Sequence, residues 1–161
     1  MSNKQFSLSH FFPYQLTRLQ ALVSQSIAQV YQGEFDLSRQ QWRVLAILAT
    51  HAPINAKSIG TLADLEKMPT SRAIKGLLAQ QLIIRVNSQT DKRAQLLSLS
   101  AQGDVLFKQL VPLVSQQEEA LLSVLSTQEK QCLATVFEKL AKQSEKILLG
   151  DEVLIKDKEI K

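Results

Sequence analysis

The 161-residue chain has a single cysteine, Cys132, so no internal disulfide can brace it. A reducing compartment, the cytoplasm, is the economical expectation. Its two histidines, His10 and His51, have no cysteine or carboxylate at ligand spacing, so no metal site is expected. No apolar run approaches the roughly 20 residues that span a bilayer. The N-terminus lacks the charged, apolar and small-residue succession of a secretory leader. There is no Gly-rich phosphate loop, no G-x-S-x-G elbow and no carboxylate pair within an apolar run. These absences argue against an enzyme, a bound cofactor and a membrane protein. Internal repeats and low-complexity stretches are absent too.

What is present is ordinary apolar content, 45%, in a length that suits one domain with an extension. The net charge of +4 matters less than its distribution. From Arg39 to Arg93 there are nine Lys/Arg against three Asp/Glu, and elsewhere ten against twelve. A cationic middle on slightly acidic flanks points to a polyanion partner. Charge alone fits a solvated surface equally well, and the decision rests on the elements that carry it.

Apolar residues at helical spacing, Leu16, Leu19, Val23, Ile27 and Val30, predict a first helix over 14–31 that ends near Gly33. Ser38 and Gln41 form a capping box, with Leu37 and Trp42 placed as a hydrophobic staple. The helix they start runs to about Thr50 and buries Trp42, Leu45, Ala46 and Leu48. Asn55 is an N-cap for a third helix with Ile59, Leu62 and Ala63 inward. Pro69 suits the first turn of a fourth, which runs to about Gln80. Ser100 can cap a long helix with Pro112 inside it, where a kink is expected. Ser126 and Glu129 form a second capping box, and Leu133, Val136, Phe137, Leu140 and Ile147 face inward on the last helix. The charged tail from 150 to 161 is expected to fray.

Between the fourth and fifth helices, 82–86 and 94–99 have strand composition, and the loop between them ends in Asp91-Lys92-Arg93. A lone basic-tipped hairpin after three helices is the pattern of a wing reaching along DNA. On an extended segment Asp91 and Arg93 point the same way, so the carboxylate can orient the guanidinium for a narrow minor groove. Lys92 would face phosphate. Before the wing, Lys67, Thr70, Ser71, Arg72 and Lys75 crowd the start of the fourth helix, where hydroxyls and N–H groups can hold phosphate. Arg72 can reach a guanine edge. The bland alternatives are a solvated helix start and a surface ion pair of little energetic value.

These residues resemble the MarR family of bacterial transcription regulators. The similarity runs from about residue 11 to 148. It is carried by Leu37-Ser38-x-x-Gln41-Trp42-x-Val44-Leu45, by Ser71-Arg72-Ala73-Ile74-Lys75, and by Arg85-Val86, Asp91-x-Arg93, Leu-x-Leu-Ser ending at Ser100, and Gly103. The expected fold is mainly α with a small β-hairpin wing: a winged helix-turn-helix at 36–100 between an N-terminal dimerisation helix at 1–35 and C-terminal dimerisation helices at 101–149. The terminal apolar stripes are too wide for lone helices and are expected to pack together and against a second copy. The resemblance implies a triangular homodimer on a palindromic operator in double-stranded DNA. It also implies a repressor released by a small aromatic or phenolic ligand. The rival is a winged-helix adaptor that binds protein, which basic Arg72, Lys75, Arg85, Lys92 and Arg93 disfavour. Met68 and Pro69 stand where the family often has Ser-Thr, which leaves operator preference open. Gln81 stands where it often has Gly, and a turn of different shape is expected because left-handed backbone is costly for Gln.

Arg18 is the only charged residue between Gln5 and Gly33, among Phe11, Phe12, Tyr14 and Leu19. With Tyr14 it could grip an anionic aromatic ligand, in the cavity that the resemblance places near this helix. A structural ion pair, within or between subunits, is the commoner role for such a residue. Cys132, beside Leu133 in an apolar stretch, is expected to be buried and unreactive.

Overall fold

The computed structural model describes residues 6–87 and 95–150. A short 3-10 turn, Leu8–His10, leads into α1 (Phe12–Gly33). Then follow α2 (Arg39–His51), α3 (Ala56–Leu62), α4 (Lys67–Ala79), β1 (Ile83–Asn87), β2 (Gln95–Leu99), α5 (Ala101–Leu122) and α6 (Thr127–Leu149). This is the expected order, mainly helical with one antiparallel hairpin, in register from Ile83↔Leu99 to Asn87↔Gln95. The chain divides into two units, one up to Glu119 and one from Ala120. Among the described residues no helix is long and apolar enough to cross a membrane.

In the first unit the caps work as the sequence predicts. Ser38 Oγ accepts from the Gln41 N–H at 3.2 Å, and Gln41 Oε1 accepts from the Ser38 N–H at 2.8 Å. Asn55 Oδ1 accepts from the Ser58 N–H at 2.8 Å, and Ser100 Oγ from the Gly103 N–H at 2.9 Å. Each satisfies a donor that a helix start leaves unpaired. The core gathers Leu45 and Leu48 of α2, Ile59 of α3, Leu77 of α4, Ile83 of β1 and Leu97 of β2, all buried. Tyr31 of α1 and Leu110 of α5 close it. Trp42, half-buried, stacks with Tyr31 at 6.1 Å and with Phe107 at 5.8 Å between ring centroids.

Two turns use left-handed backbone to stop a helix. At Asp64 (φ 51°) the Leu65 N–H returns to Gly60 O at 2.9 Å, and the Asp64 N–H to Thr61 O at 3.3 Å. At Gln81 (φ 58°) the Leu82 N–H returns to Leu77 O at 3.0 Å, and the Gln81 N–H to Leu78 O at 3.1 Å. Both are Schellman closures of the preceding helix. The turn at Gln81 therefore keeps the glycine-like shape despite its side chain, against expectation. Neighbours hold it there: Ser100 Oγ donates to Gln81 O at 2.7 Å, and the Ser100 N–H to Leu82 O at 3.0 Å. Gly103 makes this approach possible, since a Cβ on it would stand 1.9 Å from Leu82 O.

Several inward assignments differ. Leu62 ends α3 and is exposed. Trp42 and Ala46 are only half-buried, whereas Val44 is fully buried. Ile54 exchanges both backbone hydrogen bonds with Leu97, at 3.2 and 2.8 Å, and adds a one-residue third strand that no alternation in the sequence announces. Pro112 lies inside α5, which continues through it as one helix.

In the second unit, Ser126 and Glu129 form the capping box of α6, and Gly150 ends it with φ 80°. Two hydrogen bonds from Ser126, from its backbone N–H and its hydroxyl, lower the Glu129 carboxyl below its ordinary pKa. No residue of α6 is buried: Val136, Phe137, Leu140 and Ile147 are exposed. Cys132 is exposed as well, against the expected burial. Its helix carries an apolar face that nothing among the described residues of this unit covers.

Candidate nucleic-acid interface

α4 has two faces. Thr70, Ala73, Ile74 and Leu77 point into the core. Lys67, Met68, Ser71, Arg72 and Lys75 are exposed. Lys67, Ser71 and Lys75 are spaced i, i+4, i+8, and Met68 and Arg72 i, i+4, so two adjacent rows share one outward side.

The inner face fixes that orientation. Gly60 of α3 lets α4 approach: a Cβ on it would lie 3.1 Å from Thr70 Oγ1 and 3.2 Å from Leu65 O. The Thr70 hydroxyl, 4% exposed as a residue, donates to Glu66 O at 2.8 Å. The sequence places Thr70 among the DNA-contacting residues. The structure instead uses it to seat α4 on α3, because its side chain falls on the core side of the helix. Gly76 admits the Gln41 side chain, whose Nε2 would lie 2.7 Å from a Cβ there. Gln41 Nε2 donates to Gln80 Oε1 at 3.2 Å, tying the start of α2 to the end of α4. Arg43 Nη1 donates to Ala63 O at 3.0 Å in the turn between α3 and α4. Sequence reasoning assigns Gln41 only a capping role and Arg43 none. A cap can be read locally, but a partner 39 residues away cannot.

The start of α4 is a weaker phosphate site than the sequence suggests. Pro69 has no N–H to offer. Glu66, the N-cap, makes no side-chain cap bond and brings a negative charge. The cations on the outer face are better placed. Among the described residues the ion pairs are Lys108–Asp104 and Lys142–Glu138, so Lys67, Arg72, Lys75 and Arg85 are engaged in neither. Arg72 also borders an open depression lined by Ser38, Gln40, Gln41, Pro69 and Ala73, where the first turn of α2 meets α4. Behind this surface, burial raises the Tyr31 phenol pKa, and the charges of Arg39 and Arg43 oppose the rise.

Arg85 is exposed on β1, opposite Leu97 in the register. It adds an exposed cation on the hairpin. Asp91, Lys92 and Arg93 lie outside the described residues. Tyr14 and Arg18 are exposed on α1. Among the described residues of one chain, Arg18 is in neither of the ion pairs named above.

The comparisons with known proteins bear on this surface. Residues 37–94 match the model of the MarR family. The HTH-type transcriptional regulator FarR of Neisseria gonorrhoeae is 22% identical over 110 residues, 68% of this chain and 75% of its own. The transcriptional repressor CouR, solved bound to a 23-mer DNA duplex, superposes with a TM-score of 0.76 at 22% identity, over 88% of this chain and 99% of that one. BpsR of Bordetella bronchiseptica, whose DNA binding is regulated by 6-hydroxynicotinic acid, superposes with a TM-score of 0.77 at 18% identity, over 85% and 97%. At these identities the solved structures establish the shared fold.

Proposed function

As a chain that carries a MarR family domain at residues 37–94, this protein is, we propose, a transcription regulator that binds duplex DNA through α4. The observation that carries the reading is the outward face of α4, with Lys67, Ser71, Arg72 and Lys75 exposed and no carboxylate paired to them among the described residues. A major groove about 12 Å wide admits one helix. Arg72 grips a guanine edge, and Lys67 and Lys75 neutralise phosphates on either side. Ser71 supplies a hydroxyl donor, and Arg85 continues the phosphate contacts onto the hairpin. Thr70 holds the helix in place and touches no DNA. From the sequence, Arg93 enters the adjacent minor groove, Asp91 orients it and Lys92 meets phosphate.

The finer reading is a cytoplasmic homodimer on a palindromic operator, acting as a repressor. Exposed Leu16, Leu19 and Leu22 on α1, and Val136, Phe137 and Leu140 on α6, support a second copy as their cover. A small aromatic acid releases the DNA, with Arg18 and Tyr14 as its anchors. Support for a ligand comes from the regulation of BpsR and from the isolated charge of Arg18.

The test is selection of duplexes from a random pool by the full-length protein, then titration of the winners at several salt concentrations. A palindromic motif bound with a steep salt dependence supports the reading. Retention of no duplex above non-specific binding overturns it and favours a protein partner.

A further inference from the structure

On the DNA-binding reading, one residue of the outward face of α4 is still without a role. Met68 is 60% exposed, the only large apolar side chain among Lys67, Met68, Ser71, Arg72 and Lys75. It lies four residues before Arg72, one turn earlier on the same side and about 6 Å away along the helix axis. The residue itself brings no side-chain donor. Pro69 follows it without an N–H, and the uncapped Glu66 carboxylate precedes it by two residues. Met68 can neither neutralise a phosphate, as Lys67 beside it does, nor donate to a base from its side chain. It suits an apolar edge. The apolar group that base pairs present in the major groove is the C5-methyl of thymine.

We propose that Met68 reads a thymine methyl in each half-site, about two base pairs from the base read by Arg72, since successive base pairs lie about 3.4 Å apart. The thioether is flexible and polarisable, so it can follow the methyl as the groove adjusts. Pro69 restricts the backbone beside it, so the side chain is presented from a rigid first turn. The inference rests on the DNA-binding reading and adds to it a constraint on the operator: a thymine at a defined offset in both halves.

The experiment starts from duplexes selected by the full-length protein. Each thymine is replaced in turn by uracil, which removes the methyl and leaves the hydrogen-bonding pattern intact. At one symmetric pair of positions, uracil should weaken binding about fourfold per half-site and about fifteenfold when both are changed, the worth of one methyl-sized apolar group each. Met68→Ala should bind the thymine and uracil duplexes equally. Met68→Leu should restore most of the discrimination. Because the side chain is exposed, both variants should fold, which circular dichroism checks. If wild-type protein binds a selected operator but no uracil position costs more than twofold, the Met68 inference fails and the DNA-binding reading stands. It fails equally if Met68→Ala keeps the full uracil penalty. If no duplex is selected at all, both fall together.

Discussion

Gln81 sits at φ 58°, a conformation that costs a residue with a Cβ about 1–2 kcal/mol. Glycine there would relieve that cost but loosen the unfolded chain by about 0.4–1 kcal/mol. Gln81→Gly should therefore stabilise the protein by about 0.5–1 kcal/mol in urea denaturation. The reverse change at a nearby site should be severe. Gly103→Ala would set a Cβ 1.9 Å from the Leu82 carbonyl oxygen, and backbone must move to admit it. A loss of about 3 kcal/mol or more is expected from such overpacking, measured in the same titration. Glu129 gives a pH-dependent counterpart. Its carboxyl pKa is lowered by the backbone and side-chain bonds from Ser126. A lowered folded value stabilises above the ordinary carboxylate range, and that contribution is lost as pH falls through the lowered value. NMR titration of the Glu129 carboxyl should find it below other exposed glutamates, and Ser126→Ala, which removes the hydroxyl bond and keeps the backbone N–H bond, should raise it part of the way to their range. No difference between the two proteins would remove the Ser126 hydroxyl as a cause and leave the backbone N–H alone.

The helices show how far sequence reasoning carries. α2 and α6 are legible to within a residue or two at their starts because their caps are local: Ser38 with Gln41, and Ser126 with Glu129, need nothing beyond their own turn. The outward cations of α4 are legible for a related reason, because helical spacing alone puts Lys67, Ser71 and Lys75 on one side. Thr70 misleads because a hydroxyl near a helix start suggests phosphate, although its spacing sets it with Ile74 and Leu77 on the core side. A start at Pro69 gives no warning that Glu66 is the N-cap or that α3 lies against Thr70 through Gly60. The Ile54–Leu97 bridge and the Gln41–Gln80 bond join distant segments, and no local pattern encodes them. At this scale the outward face of α4 makes a paired prediction. Arg72→Ala should cost about 1–3 kcal/mol and relax base choice at one position of each half-site, if its grip on the base is bidentate. Lys75→Ala should weaken all duplexes alike and reduce the salt slope by about one unit for each phosphate it no longer neutralises. Salt-dependent titration against operator variants separates the two. An Arg72→Ala variant with unchanged base preference would shift the reading of sequence elsewhere.

At the scale of the molecule, the single chain leaves apolar side chains in water along α1 and α6, Phe137 at 49% and Leu19 at 53% among them. Sedimentation at micromolar concentration should therefore find a dimer. Its operator should have half-sites about 10 base pairs apart, one helical turn, in hydroxyl-radical footprints. A monomer under these conditions would leave both apolar faces without the cover proposed for them. The dimer also bears on Cys132: exposed in one chain, it should lose reactivity towards a thiol reagent on assembly if a second copy covers its side of α6. The aromatic stack has a different consequence. Trp42 is the only tryptophan of the chain, and it rests against Tyr31 of α1 and Phe107 of α5. The molecule thus contains its own optical gauge, an unlabelled fluorophore where α1, α2 and α5 meet. Any ligand that slides α1 or α5 against the DNA-binding lobe must change the colour or yield of its emission. A binding event that leaves this light unaltered has left that junction as it was.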